Sequence, residues 1–331
     1  MITSQHHPSK SSTGQNPSEN MSKPSSEVTL SVGLPIYNGE NYMREAIDSI
    51  LNQTYNDFEL IISDNASTDS TQQICEEYVR NDSRVRYYRN EENLGATWNF
   101  NRTFELAKGK YFKWVGHDDI LHIENFEKCL NGLIEREKDG YVCCWSNTEV
   151  IDGDGETVRL IEEPPMRLES DNLPHRFRDG AYIVHSSFQF HGIIRSDVLR
   201  KTCLLGQWIS SDYTMIGQLA LRGKIYQHPD VLFRRRYHNT TGWESCQKDY
   251  YSYARFWAPV SKKNSILLPY WRMGYEAFKG VMKTPMSFGD RMKCLWYVVS
   301  SRQAHRGRSQ YLWDLVYAVK ELVKKPFSSK S

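Results

Sequence analysis

The sequence predicts an α/β protein, with a mostly parallel β-sheet flanked by helices and a helical C-terminal extension. Two observations carry this. Short apolar, β-branched runs alternate with one-faced helical patterns over about 110 residues from Val28 onward, the order expected of βαβ units with right-handed crossovers. Each run also stops abruptly at polar residues, and the fourth stops at two adjacent carboxylates, Asp118 and Asp119. Parallel strands all point one way, so these stops collect along one sheet edge, where such folds bind ligands.

The elements follow in order. Residues 28–34 form an apolar run closed by Pro35 and the turn Tyr37-Asn38-Gly39, which reads as strand then turn. Met43, Ala46, Ile47, Ile50 and Leu51 repeat at helical spacing. Residues 58–63 read as a buried parallel strand ending at Asp64. A helix with Ile74, Tyr78 and Val79 on one side follows, then a third strand at 85–88 and the loop Asn93-Leu94-Gly95. A helix at 98–107 stops before Gly109, and the fourth strand, 111–115, leads to the Asp pair and to a helix at 123–136.

Past residue 140 the pattern loosens. Residues 142–145 continue as strand, 150–160 form a hairpin turning at Asp152-Gly153-Asp154-Gly155, and 162–180 are irregular. Ser210-Ser211-Asp212 precedes a helix closed by Gly223. A short strand begins at Ile225, and Arg234-Arg235-Arg236-Tyr237-His238 ends the region.

The N-terminal 26 residues hold eight Ser and three Pro with almost no large apolar groups, so disorder is expected there. A formal charge of +2 excludes nucleic-acid binding by overall charge. Seven cysteines without a C-x-x-C pair read as reduced core residues of a cytoplasmic protein. No run approaches the roughly 18 apolar residues of a spanning helix, so any membrane contact is peripheral. From Trp271 onward, twelve Lys/Arg face four Asp/Glu. Leu312, Leu315, Val316, Val319, Leu322 and Val323 make a stripe near Lys320, Lys324 and Lys325. That pattern fits a helix lying on an anionic membrane and equally a packed terminal helix with a solvated face.

Adjacent carboxylates repel, and a hard divalent cation is one reason to pair them. An acidic turn capping the helix at 123 is the other. Asp64, Asp69 and Asp212 can likewise cap the helices that follow them. Arg234 to Arg236 with His238 fit a diphosphate clamp or a solvated basic strand, and Trp114 and Trp208 fit sugar stacking or the core.

The strings Leu34-Pro35-Ile36-Tyr37-Asn38-Gly39, Ile50-Leu51-Asn52-Gln53-Thr54 and FELIISDNASTD at 58–69 resemble the opening of glycosyltransferase family 2. The resemblance continues through Asn93-Leu94-Gly95, Asn101, Gly109-Lys110-Tyr111 and His117-Asp118-Asp119, covers about residues 28–150, and weakens over 180–240. It implies the GT-A fold, a Rossmann-like sheet, in a domain at 27–240. Within it 27–147 is the nucleotide-sugar half and 148–240 the acceptor half, and 241–331 forms a basic, mainly helical extension.

By that resemblance, Pro35, Tyr37 and Asn38 line a donor pocket, and Asp64, with Asn65 and Asn93, meets the nucleotide. Asp118 serves the ribose and the metal, and Asp119 is the first choice to coordinate Mn²⁺ or Mg²⁺. Asp212 takes the place of the base. The implied partners are a nucleoside-diphosphate sugar and a glycan or lipid-linked acceptor of a cell-surface pathway. A cation would stabilise the departing diphosphate, a carboxylate would take the acceptor's proton, and one in-line displacement inverts the anomeric carbon.

Two departures stand out. Asn65 replaces the Asp usual there, which leaves UDP, dTDP and GDP open, and Gly116 replaces the usual acid two residues before Asp118. A sugar nucleotidyltransferase is disfavoured because Pro35-Ile36-Tyr37-Asn38 stands where a Gly-rich phosphate loop and Lys are expected. A non-catalytic binding protein is disfavoured by the intact Asp118, Asp119 and Asp212.

Overall fold

The computed structural model describes residues 28–184, 186–208, 210–238, 268–300 and 315–316. The N-terminal tail and nearly all of the stripe at 312–323 fall outside them. Strands β1 (Leu30–Ile36), β2 (Phe58–Asp64), β3 (Val85–Arg89) and β4 (Tyr111–Trp114) are parallel, with Leu30 opposite both Phe58 and Tyr111, and Leu60 opposite Val85. Helices α1 (Met43–Leu51), α2 (Thr71–Asn81) and α3 (Ala96–Glu105) link them, and α4 (Asn125–Arg136) follows. This half matches the alternation read from the sequence, because β1, β2 and β4 are local runs buried along their whole length, while β3, with only Val85 buried, forms the sheet edge.

The helical spacing of α1 buries Met43, Ala46, Ile47 and Ile50. Each of the three larger side chains is worth about 1.5–3 kcal/mol. In α2 the inward residues are Thr71, Ile74 and Cys75, whereas Val79, expected on the buried side, is 40% exposed. Pro35 lies inside β1 rather than beyond it. Gly33 still accepts from Val115 N across to β4, while Ile36 O accepts from Asn65 N on the β2 side. The alternation points the Pro35 nitrogen to the side where β4 pairing has ended, so its missing N–H costs no ladder bond.

The second half is a mixed sheet. Strand β8 (Ile193–Arg195) lies antiparallel between β4 and β6 (Tyr141–Ile151). Strand β7 (Thr157–Leu160) closes the expected hairpin on β6. The strand expected to be short at Ile225 is instead the 13-residue β9 (Lys224–Arg236), parallel to β6 along its length. Its middle, with Pro229 and Asp230, survives as strand because the ladder shifts register there. The two-residue β5 (Ile120–Leu121) pairs with the end of β9, Ile120 opposite Arg234. The sheet order is β3-β2-β1-β4-β8-β6-β9-β5, with β7 on β6.

Helices α5 (Leu173–Arg178), α6 (Ser196–Leu199) and α7 (Ser211–Arg222) cover this half, and α8 (Pro269–Lys283) and α9 (Phe288–Ser300) form the described part of the extension. Gln218 on α7 donates to Glu276 O on α8 at 3.0 Å. A small core of Phe177, Tyr182, Leu221, Val281 and Cys294 joins α5, α7, α8 and α9. The six described cysteines are free, five of them buried.

Candidate active site

The tips of β1 and β2 are tied together by their turns. Asn38 adopts a left-handed conformation (φ 51°) that short polar side chains tolerate. Its Oδ1 accepts from Thr68 N and its own N–H donates to Ser67 Oγ, each at 2.9 Å. Pro35 is buried, and Tyr37 projects from the same turn, 45% exposed.

Asp64 is fully buried. Its Oδ2 accepts from Tyr87 Oη and Arg89 Nη1, both at 2.7 Å, and Oδ1 from Ser67 N at 2.9 Å. With bonds on both oxygens, Asp64 ties the tip of β2 to β3 and to the 65–69 turn. Asn65 is buried as well. It donates to Asn93 Oδ1 at 2.7 Å and accepts from Leu94 N at 3.0 Å, so it carries the 90–95 loop on the β2 tip. Asn93 itself is exposed.

Sequence reasoning passed over Asn99. Buried on α3, it donates to Ser63 O and Ile36 O and accepts from Ser63 Oγ at 2.6 Å. A polar residue amid the apolar spacing of α3 is the signal that could have found it.

The Asp pair stands beyond β4, and its partners decide between the two readings of it. Helix α4 starts at Asn125, two residues later than expected, and its first turn is capped by Gln53 Oε1, which accepts from Phe126 N at 2.9 Å, and not by either acid. The carboxylates are bonded instead to the end of β9 and to His238 just beyond it. Asp119, fully buried, accepts from Arg235 Nη1 at 2.6 Å on Oδ2 and from Arg236 N at 3.2 Å on Oδ1. Asp118, 8% exposed, meets His238 Nε2 with its Oδ2 at 3.2 Å. Arg236 donates to Asp118 O, to the turn carbonyls of Asp152 and Gly153, and to Glu45 on α1. Arg234 pairs with Glu149. Each arginine of the basic strand thus has its own carboxylate, and Arg235 is the one that serves the acid pair.

Electrostatics separate the two acids. Burial pushes the Asp118 carboxyl up, but the His238 hydrogen bond and the charges of His117, Arg235 and His238 outweigh it and hold it well below the usual range. Burial also pushes Asp119 up, and Asp118 beside it adds to that, with Arg235 opposing. Asp118 is thus the ionised acid nearest to solvent. Gly116 leaves no space for a third acid, because a Cβ there would lie 2.5 Å from Asp119 Oδ2 and 2.9 Å from Asp118 Oδ1. His117 packs on Gly39, whose Cβ would lie 2.9 Å from the ring.

These donors bear on a divalent cation. Among the described residues no three His, Cys, Asp or Glu side chains gather to form a closed metal cage. Mg²⁺ and Mn²⁺ sites commonly need only one or two protein ligands when phosphates complete the shell. Each carboxylate oxygen has lone pairs beyond the one bond it accepts here, so both acids keep the capacity for a cation: Asp118, with His238 Nε2 beside its Oδ2, at the more exposed position, and Asp119 at the buried one.

Asp212 lies in the first turn of α7, with Ser210 at the cap position, so it is not the cap itself. Its half-buried carboxylate bonds Ser187 and the Tyr213 backbone N–H, and burial pushes its pKa up against them. Ser187 begins the segment 187–191, whose His191 contacts Trp114 O at 3.2 Å and stacks on Phe233. Those contacts join the Asp212 turn to β4 just before the Asp pair and to β9 just before Arg235. Trp114 is a core residue, its Nε1 donating to Phe100 O at 2.9 Å, and Trp208 is buried against Gly206.

A parallel sheet that ends its fourth strand in an acid pair, extended by a mixed second half, defines a GT-A glycosyltransferase. Residues 31–202 match the family described as Glycosyl transferase family 2. An uncharacterized glycosyltransferase of Rickettsia prowazekii (strain Madrid E) is 30% identical over 240 residues, 71% of this chain and 72% of that protein. The putative teichuronic acid biosynthesis glycosyltransferase TuaG of Bacillus subtilis (strain 168) is 30% identical over 183 residues, 55% of this chain and 71% of TuaG. Among solved structures, S. aureus TarS 1–349 in complex with UDP superposes with a TM-score of 0.62 at 15% identity, covering 89% of this chain and 80% of that one, a likeness of fold. The chain belongs to glycosyltransferase family 2 and is a glycosyltransferase.

Proposed function

We propose that this enzyme transfers a sugar from a nucleoside-diphosphate donor to an acceptor hydroxyl with inversion, in the synthesis of a cell-surface glycan. The observation that carries the reading is the placement of Asp118, ionised and at the solvent side of the acid pair, on the sheet edge shared with Tyr37 and Asn38. The structures of TarS with UDP and with UDP-GlcNAc support a uridine donor, and the name of TuaG supports a cell-surface product.

In this reading Tyr37 and Asn38 border the nucleotide, with Pro35 beneath them. Asn65 shapes the pocket by fixing the loop that carries Asn93, and Asp64 acts one layer deeper as a strut. The acid pair, with His238 beside Asp118, would hold a divalent cation, which would supply positive charge to offset the negative charge gained by the departing diphosphate. Asp212, its proton affinity raised by burial, takes the proton from the acceptor hydroxyl during attack. One carboxylate acting opposite the leaving group gives a single displacement and hence inversion. Residues 27–147 would serve the donor and 148–240 the acceptor.

The test is a thermal-shift panel of UDP, dTDP, GDP and CMP, each with Mn²⁺ and with chelator. A ligand at 100 times its dissociation constant adds about 2.7 kcal/mol to native stability. A response to UDP that is larger with Mn²⁺ supports the proposal, and no response to any nucleotide overturns it.

A further inference from the structure

We propose that the helical extension docks the enzyme on an anionic lipid surface through the outer faces of α8 and α9. This stands independently of the transferase reading. Helix α8 turns Glu276, Ala277, Val281 and Thr284 inward, all buried, and seats Gly280 on Gln218 of α7, where a Cβ would meet that side chain at 2.7 Å. On the opposite side Tyr275, Phe278 and Met282 recur at helical spacing, all exposed. Helix α9 repeats the device, with Cys294 buried inward while Phe288, Met292 and Trp296 are exposed at successive turns. Singly scattered surface hydrophobes need no explanation. Two consecutive helices that each line an outward face with aromatic and Met side chains do.

The charge around these faces is predominantly positive. Arg272 and Lys279 lie 5.7 and 5.9 Å from the Tyr275 ring and both pair with the buried Glu276, and Lys283 continues the edge. On α9, Lys293 adjoins Met292, and burial together with the charges of Arg167, Arg178 and Lys293 holds the pKa of His175 on α5 below its ordinary value. Of the carboxylates nearby, Asp179 is buried and shared by Arg167 and Arg178, and Asp290 accepts from Ser287 Oγ. From Trp271 onward the chain holds twelve Lys/Arg and four Asp/Glu.

Aromatic rings settle at the headgroup boundary while Lys and Arg reach anionic headgroups, the composition of a helix lying in the membrane plane. Among the described residues no helix is long and apolar enough to cross a membrane, so the contact is in-plane. A second copy fits this surface less well, since a two-fold interface would set like charges against each other.

The test is flotation of the full chain with phosphatidylcholine vesicles with and without phosphatidylglycerol. Flotation with the phosphatidylglycerol vesicles, weakened by salt, is expected. Joint Phe288→Glu and Trp296→Glu should cut binding by more than about tenfold. Joint Lys279→Glu and Lys283→Glu should abolish the preference for phosphatidylglycerol. Unchanged circular-dichroism melting of both variants shows that the fold persists. Equal flotation of wild type and the Phe288/Trp296 variant, or equal binding to both vesicle types, overturns the proposal. So does the absence of flotation with a concentration-dependent self-association that the same variant abolishes, which would assign the face to a second copy.

Discussion

Arg235 Nη1 lies 2.6 Å from Asp119 Oδ2 across 116 residues of sequence, and the carboxylate is fully buried. A buried ion pair gives little net stability as a pair, but removing one partner strands the other charge. Arg235→Leu is therefore expected to lower unfolding stability by about 3–5 kcal/mol, measured by urea denaturation. A loss below about 1 kcal/mol would mean that Asp119 finds another partner and is free to serve a ligand.

Asp118 is held differently. Its Oδ2 meets His238 at 3.2 Å, and its backbone, not its carboxylate, is what Arg236 grips. Its low pKa means that the ionised carboxylate stabilises the fold at neutral pH, so Asp118→Asn is expected to lower urea stability by about 1–3 kcal/mol. It should erase the extra thermal stabilisation that Mn²⁺ gives to UDP binding, and His238→Ala should reduce that increment in part. A Mn²⁺ increment that survives in Asp118→Asn would move the cation elsewhere.

The contrast between these two acids shows how far the sequence could be read. Strands β1 to β4 and their helices were legible because each is a contiguous apolar or one-faced pattern, and the Asp pair because two carboxylates end a strand together. Which acid faces solvent was not legible, since the answer lies with Arg235, Arg236 and His238, brought near by β9. The length of β9 was hidden for a related reason. Gln227, His228, Pro229 and Asp230 have no strand signature; Gln227 and His228 pair with Trp145 and Ser146, and Pro229 and Asp230 bulge out of the ladder before Val231 rejoins it at Asn147. The bonds of Asp64 to Tyr87 and Arg89 were hidden as well, because those partners lie on the next strand and show no pattern linking them to it.

Gly116 supplies a sharper test of the packing around the acids. A Cβ at this position would lie within 3 Å of both carboxylates and 3.2 Å from Arg235 Nη1. Restoring an acid there would add a third negative charge where no volume exists. Gly116→Ala is expected to cost about 1–3 kcal/mol through overpacking, and Gly116→Asp more. Both should weaken UDP binding in the thermal-shift assay. An undiminished UDP response in Gly116→Asp would show that the acid pair can part without harm to the site.

Asp212 joins reactivity to stability, and the sign can be worked out. Burial raises its folded pKa above the ordinary carboxylate value. Between those two values the folded protein keeps a proton that the unfolded chain has released, so this group's contribution to stability declines as pH rises through the window. At neutral pH the ionised carboxylate is a cost to the fold. Asp212→Asn is expected to melt at a higher temperature than wild type at neutral pH, with the gap closing below the ordinary carboxylate range. The same change should lower kcat by about 10²–10⁴-fold and leave donor KM unchanged, because proton abstraction is lost and donor binding is not. In the wild type, kcat should fall with acid at a pH above that of an ordinary Asp. A variant that turns over normally, or one that loses donor affinity in step with kcat, would remove Asp212 from the role of base.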